Sequence, residues 1–147
     1  MRYFLDAEYN GFGGELISLA LVPEASGRPF FYEALPCPQP TAWVADHVLP
    51  VLAVTPVSVG EMADRFADYL TDDPNPLLVA DWPEDIAHAA RLLVTGPGRM
   101  LPIRSLRFEL VDPHIMGPGA PAEVPHNAYH DAAALRAMVL DYERRMR

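Results

Sequence analysis

Two acidic side chains near the N-terminus have a spacing suited to binding a divalent cation. Asp6 and Glu8 lie two residues apart at the end of an apolar, strand-like run, so their carboxylates point to the same side of that strand. Carboxylates this close repel each other unless a positive charge lies between them, and Mg²⁺ and Mn²⁺ prefer oxygen ligands. The pair indicates a metal site; a polar strand end that runs into a turn is the simpler alternative.

A second group of candidate residues lies near the C-terminus, where His126 precedes Asp131 by five positions. Asp131 lies four residues before Leu135, which places it on the core-facing side of the last predicted helix. A bare carboxylate there would be costly, whereas a metal ion and the helix N-terminus would both stabilise it. The alternative is an ordinary first-turn acid that follows a loop histidine.

The middle of the chain supplies a third acidic segment, from Asp81 to Asp85. It joins the end of a short apolar strand to the start of a helix, and ligands of α/β sheets bind where strands end and helices begin. Either residue could be a metal ligand. Alternatively, Asp81 is an ordinary helix N-cap and Asp85 an acid that interacts with the helix dipole.

Strands and helices with short connections position these three segments. Apolar periodicity and turn residues predict strands at 2–7, 16–22, 30–35, 77–80 and 103–108, and helices at 41–49, 58–70, 83–94 and 127–145, with a proline-rich loop at 112–125. The first three strands suggest an antiparallel meander. We therefore expect an α/β fold, with one mixed five-stranded sheet flanked by helices in a single domain, 1–147.

The composition of the chain limits the kinds of molecule that it is expected to bind. The net charge of −9 argues against a broad basic surface that grips long nucleic acid, although it is compatible with a nuclease whose acids bind cations. No apolar run is long enough to span a membrane. The strand-like run at the start predicts no secretory signal, and the single cysteine, Cys37, cannot form an internal disulfide. We expect a cytoplasmic protein that does not bind membranes.

Taken together, the three acidic segments resemble the motifs of the DEDDh family of 3′→5′ exonucleases, which have the ribonuclease H-like fold. Asp6 and Glu8 match the first motif, and His126 and Asp131 match the last. In the middle motif Asp85 takes the catalytic position, with Asp81 as the alternative. The resemblance covers nearly the whole chain. It implies that Asp6, Glu8, Asp85 and Asp131 hold two Mg²⁺ or Mn²⁺ ions and that His126 is the general base.

The resemblance is closest to small bacterial exoribonucleases such as oligoribonuclease and ribonuclease T. It implies hydrolysis of single-stranded nucleic acid from the 3′ end to 5′-mononucleotides, with RNA favoured over DNA, and it allows a homodimer. The residues expected to bind substrate flank the metal ligands, with core packing as the alternative for the aromatic ones: Ala7, Tyr9, Asn10, Gly11, Phe12 and Trp82.

Three other functions fit the same residues. The first is a single-stranded DNA exonuclease of the same family, because the acids do not discriminate between sugars and contacts to the 2′-hydroxyl do. The second is a non-catalytic nucleic-acid-binding protein, which would be expected to lack one of the five residues. The third is a metal-dependent phosphoesterase that acts on a small nucleotide.

Overall fold

A five-stranded mixed sheet forms the centre of the α/β fold in the computed structural model, which describes residues 1–147. The strands follow the spatial order β3-β2-β1-β4-β7. Their bounds are β1 Arg2–Tyr9, β2 Leu16–Pro23, β3 Phe31–Ala34, β4 Leu77–Ala80 and β7 Arg107–Leu110, and a separate two-stranded ribbon is formed by β5 Val94–Gly96 and β6 Arg99–Met100. The expected α/β class and five-stranded mixed sheet are confirmed.

The sheet combines an antiparallel and a parallel half, and helices connect and cover it. β1, β2 and β3 pair antiparallel, which confirms the predicted meander, whereas β4 lies parallel to both β1 and β7. The helices are α1 Ala42–His47, a 3-10 turn at Leu49–Val51, α2 Val59–Thr71, α3 Pro83–Leu92, α4 Pro113–Met116 and α5 Ala128–Arg145. None of these helices has the length and apolar character needed to cross a membrane.

Alternate residues of β1 pack on opposite faces of the sheet, as the period of a strand requires. Leu5 belongs to the large core cluster that α2 and α3 cover, together with Phe66. Phe4 packs on the other face against Leu135 and Val139 of α5. Burying one such side chain stabilises the fold by about 1.5–3 kcal/mol. Both faces are therefore packed, and even-numbered residues of β1 lie beneath α5.

Three of the predicted bounds are wrong, each for a local reason. The helix expected at 83–94 ends at Leu92, because Val94 already pairs with Met100 in the ribbon. The strand expected at 103–108 lies at Arg107–Leu110, where its register matches the four residues of β4. The loop expected at 112–125 contains the short helix α4, whose start is capped by the carboxylate of Asp112.

Candidate metal centre

The candidate site lies at the end of the sheet where β1 and β4 finish and α3 and α5 begin. The parallel register pairs Phe4 with Val79, so Asp6 and Asp81 each lie two residues further along neighbouring strands. α3 and α5 pack against β1, and their first turns lie at this same end of the sheet. Three segments that are distant in sequence thus converge, as expected for ligand sites in α/β folds.

Asp6 is on the face of β1 that α5 covers, in a setting made of small side chains. It lies opposite Ala20 of β2, and Ala20 packs with Ala128 and Ala132 of α5. The Oδ2 atom of Asp6 is buried, and no hydrogen-bond donor reaches it. A buried carboxylate oxygen without a partner is costly, so the surroundings of Asp6 call for a positive charge that the side chains do not supply.

Glu8, His126 and Asp131 form the most closely grouped part of the site. Each residue offers one metal-binding atom, and these three atoms lie within 4.8 Å of one another. The backbone N–H of His126 also donates a hydrogen bond of 2.9 Å to Asp131 Oδ2. This bond links the backbone of His126 to the acid in the first turn of α5. It therefore holds His126 close to the Asp131 carboxylate.

The N-terminus of α5 is capped by Asn127, which is buried. Its side-chain oxygen accepts hydrogen bonds from the backbone N–H groups of Tyr129 and His130, the usual arrangement at a helix N-cap. The backbone N–H of Asp131 in turn donates to the carbonyl of Asn127. The cap therefore fixes Asp131 in the first turn of α5, where the helix dipole favours a negative charge.

Both acids of the middle segment lie near the site, in different surroundings. Asp85 is only 3% exposed and occupies the first turn of α3. Of the neighbouring acids, it contributes most to the raised pKa of Asp6, and Asp81 contributes least. Asp81 instead lines a cavity of about 300 Å³ together with Asp6 and Asp131. Asp85 is thus the closer electrostatic partner of Asp6, and Asp81 lies at the edge of the same cluster.

The carboxyl groups of the site resist ionisation. Burial, and then the neighbouring carboxylate of Asp131, raises the pKa of Glu8 to about 8. Burial and the charge of Asp81 raise the pKa of Asp85 to about 8, against a hydrogen bond from the backbone of Ala7. Burial and the surrounding acids also hold the pKa of Asp6 well above its usual range. A nearby cation would stabilise the ionised form of these acids and lower their pKa values again. The electrostatics of the site therefore favour cation binding.

Three aromatic side chains were expected near substrate, and the structure places them differently. Tyr9 packs against the core cluster on the face opposite Asp6, where its ring stacks on His88 with centroids 4.9 Å apart. Phe12 is 97% exposed in the turn after β1. Trp82 is half exposed and donates from Nε1 to Glu84 Oε2 over 3.3 Å. Phe12 and Trp82 are therefore free to stack on a ligand, and the Tyr9 ring is occupied by core contacts.

Of the other residues expected to bind substrate, Asn10 and Gly11 lie in the turn that follows β1, whereas Ala7 lies within β1. Ala7 is buried beneath the helices that cover the core cluster. The side chain of Asn10 is engaged with the chain near Thr41. Gly11 adopts a left-handed φ of 77°, and a Cβ on Gly14 would lie 2.1 Å from the carbonyl oxygen of Asn10. The turn therefore requires glycine to close tightly beside the site.

No protein-family model matches this chain, and no curated protein matches it either.

Trp43 and His47 of α1 also lie against the site. The motifs of the sequence did not identify them. Their rings contact that of His126, with centroids 4.9 Å and 6.2 Å away, respectively. A tryptophan and a histidine four residues apart share one side of a helix, and that spacing is visible in the sequence. Nothing in the sequence, however, shows which part of the fold this side meets.

Proposed function

We propose that this protein is a metal-dependent 3′→5′ exoribonuclease of the DEDDh type, on a ribonuclease H-like fold, that hydrolyses single-stranded RNA to 5′-mononucleotides. The observation that carries the proposal is the convergence of acids from three distant segments around the buried carboxylate of Asp6, with His126 beside two of them. The order of the acidic motifs along the chain and the five-stranded mixed sheet support the proposal.

The residues that would hold two Mg²⁺ or Mn²⁺ ions are Asp6, Glu8, Asp85 and Asp131. Their donor atoms are all carboxylate oxygens, the type that these ions prefer, and the unpartnered Oδ2 of Asp6 supplies a ligand atom that nothing else uses. When bound, such ions neutralise the acids, lower the pKa of water and stabilise a leaving oxygen. The protein contributes rigid placement, since two of the acids lie in capped or proline-started first helical turns.

His126 is suited to take a proton from the attacking water. Histidine is the side chain that most often serves as a general base, and a general base typically contributes about 10²–10⁴-fold to a rate. The His126 ring is accessible to solvent at the rim of the acid cluster, and its backbone is fixed by the hydrogen bond to Asp131. With cations bound, the ring would lie beside the carboxylates that hold them, where it could accept the proton of the attacking water.

The negative charge of the chain favours contact with only a few nucleotides of the substrate. At a net charge of −9, extended binding to many phosphates would be weak, because such binding depends on cationic side chains. A site that engages only the terminal nucleotides through bound cations avoids this penalty. RNA is proposed over DNA from the likeness to small exoribonucleases, and a contact to the 2′-hydroxyl would be what discriminates between them.

A time course on matched RNA and DNA oligomers, labelled at the 5′ end, tests the proposal. With Mg²⁺ or Mn²⁺ we expect RNA to shorten one nucleotide at a time from the 3′ end, faster than DNA, and chelator to stop the reaction. The matched control is Asp6→Asn, which keeps the shape of the side chain and removes its charge; we expect its rate to fall by at least about 10³-fold, or roughly 4 kcal/mol of barrier.

Each other outcome of that time course favours a different function. Faster degradation of DNA favours the DNA exonuclease. Hydrolysis of dinucleotides or model phosphodiesters without any action on oligomers favours the small-nucleotide phosphoesterase. Binding without hydrolysis under any metal condition favours a non-catalytic protein, and an Asp6→Asn variant that retains the normal rate refutes the metal site.

A further inference from the structure

The segment that contains α1 is attached to the candidate site at both of its ends. At its start, the backbone N–H of Thr41 donates to Asn10 Oδ1, and Asn10 Nδ2 donates to the carbonyl of Gln39, each over 2.9 Å. At its end, Asn127 Nδ2 donates to the carbonyl of Val51 over 2.7 Å. Asn10 follows the strand of Glu8, and Asn127 directly follows His126, so the segment is anchored to two elements of the site.

The second anchor is buried and reinforced. Asn127 Nδ2 also donates to the hydroxyl of Tyr32 over 3.1 Å, and that hydroxyl donates to the carbonyl of Leu52. Val44 and Val48 add apolar contacts beneath α1, where they pack against Ile17 of β2. Buried, mutually satisfied polar groups of this kind resist displacement, so α1 is held at a fixed position relative to the N-terminus of α5.

From this position α1 presents a preformed pair of rings to His126. Trp43 and His47 stack with centroids 4.6 Å apart and an angle of 12° between the planes. His47 Nδ1 lies 2.8 Å from the carbonyl oxygen of Trp43. The ring of His126 stands nearly perpendicular to both, at 79° to Trp43 and 89° to His47. Perpendicular packing of this kind is a favoured geometry for aromatic rings.

His126 needs such support because its own backbone is unfavourable. Its φ of 64° lies in the left-handed region, which few residues other than glycine adopt. The hydrogen bond to Asp131 fixes the backbone, but it leaves the rotation of the side chain free. The aromatic contacts of the imidazole are with Trp43 and His47 and with no other ring. These contacts therefore determine where the ring lies relative to the acids.

We propose that Trp43, supported by His47, is a positioning residue that holds the imidazole of His126 in the orientation needed to accept a proton at the site. The inference rests on the proposed function, because positioning a base matters only if the base acts. It assigns a role to α1, which contains none of the acidic motifs. A small displacement of a catalytic group lowers turnover more than it lowers binding.

Steady-state kinetics on a single-stranded RNA oligomer with Mg²⁺ test the proposal through the separation of kcat from KM. For Trp43→Ala we expect kcat to fall at least about 10-fold, a part of the 10²–10⁴-fold that a general base supplies, with KM nearly unchanged. Trp43→Phe keeps a perpendicular aromatic contact and should recover most of kcat. Phe30→Ala is the matched control, because Phe30 is as exposed as Trp43 (49% and 50%) and packs against Tyr129 instead of His126.

A spectroscopic readout accompanies the kinetics. In NMR spectra of the full chain, the ring current of Trp43 should displace the carbon-bound ring protons of His126. This displacement should be lost in Trp43→Ala and partly kept in Trp43→Phe, while the dispersed amide spectrum shows that both variants fold. His47→Ala should weaken the displacement less than Trp43→Ala, since its ring is farther from His126.

The possible results separate this proposal from the proposed function. If the wild-type chain hydrolyses no nucleic acid, the proposed function fails and the positioning role fails with it. If the wild-type chain hydrolyses RNA but Trp43→Ala keeps its kcat, only the positioning role is refuted. A raised KM at constant kcat refutes it too, because that result assigns Trp43 to substrate stacking. An unchanged His126 ring spectrum in Trp43→Ala refutes the contact itself.

Discussion

The charge of Glu8 should make the metal-free protein less stable as the pH rises. In the folded chain, burial and the Asp131 carboxylate raise the pKa of Glu8 from 4.5 to about 8, whereas in the unfolded chain water solvates the group and the pKa is ordinary. A raised folded pKa means that the folded state binds the proton more tightly. The stabilising effect is therefore complete below about pH 4 and is lost as the pH rises through about 8.

The size of the effect follows from the same shift. One pKa unit corresponds to about 1.36 kcal/mol, and the linkage relation then gives a loss of up to ~4 kcal/mol between about pH 5 and about pH 9 from Glu8 alone. This is an upper bound, because the surrounding acids titrate together and share protons. Glu8→Gln removes the ionisable proton and keeps the shape, so its stability should fall less steeply over the same interval.

Urea denaturation in the presence of chelator, at several pH values, measures this difference. We expect the free energy of unfolding of the wild-type protein to decrease from about pH 5 to about pH 9, and that of Glu8→Gln to decrease by a few kcal/mol less. Mg²⁺ should raise the free energy of unfolding of the wild-type protein most at high pH. It binds the folded state, and the carboxyl groups that would hold it must be deprotonated. Equal slopes for the two proteins, or a wild-type stability that rises with pH, would refute the electrostatic account of the site.

Three further predictions address single residues. Asp85→Asn should lose far more hydrolytic activity than Asp81→Asn in the same RNA assay, because Asp85 is the buried neighbour of Asp6; the reverse order would reassign the middle motif. His126→Ala should slow turnover by about 10²-fold or more while calorimetry still detects Mn²⁺ binding, and loss of that binding would make the histidine a metal ligand instead of a general base. Arg2→Ala should lower the free energy of unfolding by about 1–2 kcal/mol near pH 7, since its partly buried ion pairs join β1 to Glu24 after β2 and to Glu143 of α5. The destabilisation caused by Arg2→Ala should be smaller in acid. Arg2 lowers the pKa of both glutamates, and the stability that their ion pairs contribute is lost as the pH falls through these lowered pKa values. An equal destabilisation at low pH would show that Arg2 contributes through packing instead.

Local patterns in the sequence were sufficient to predict most of the sheet. The apolar run at Leu77–Ala80 is the strand β4, and Ser58 caps α2 through a bond from the backbone of Glu61. Both features depend on residues a few positions apart. The shared face of Asp6 and Glu8 could be predicted for the same reason, because the period of a strand decides it.

Long-range packing decided the features that the sequence did not reveal. The position of β7 depends on its register with β4, which the apolar pattern of residues 103–110 leaves open. The contact of Trp43 with His126 depends on two asparagine side chains, Asn10 and Asn127, that attach α1 to the site. The local sequence around Trp43 is compatible with any surface helix, so no periodicity could have placed it there.

The acid cluster departs from the pairing seen for other charged side chains of the protein. Several charged side chains elsewhere are paired: Asp73 pairs with the N-terminus, and Arg65 pairs with Glu33 and Glu61. At Asp6, by contrast, a carboxylate oxygen is buried without a donor amid like charges. A fold tolerates such a cost when a bound partner offsets it, and departures from local consistency concentrate at functional sites. Burial and charge at Asp6 therefore support the proposed metal site independently of the family resemblance.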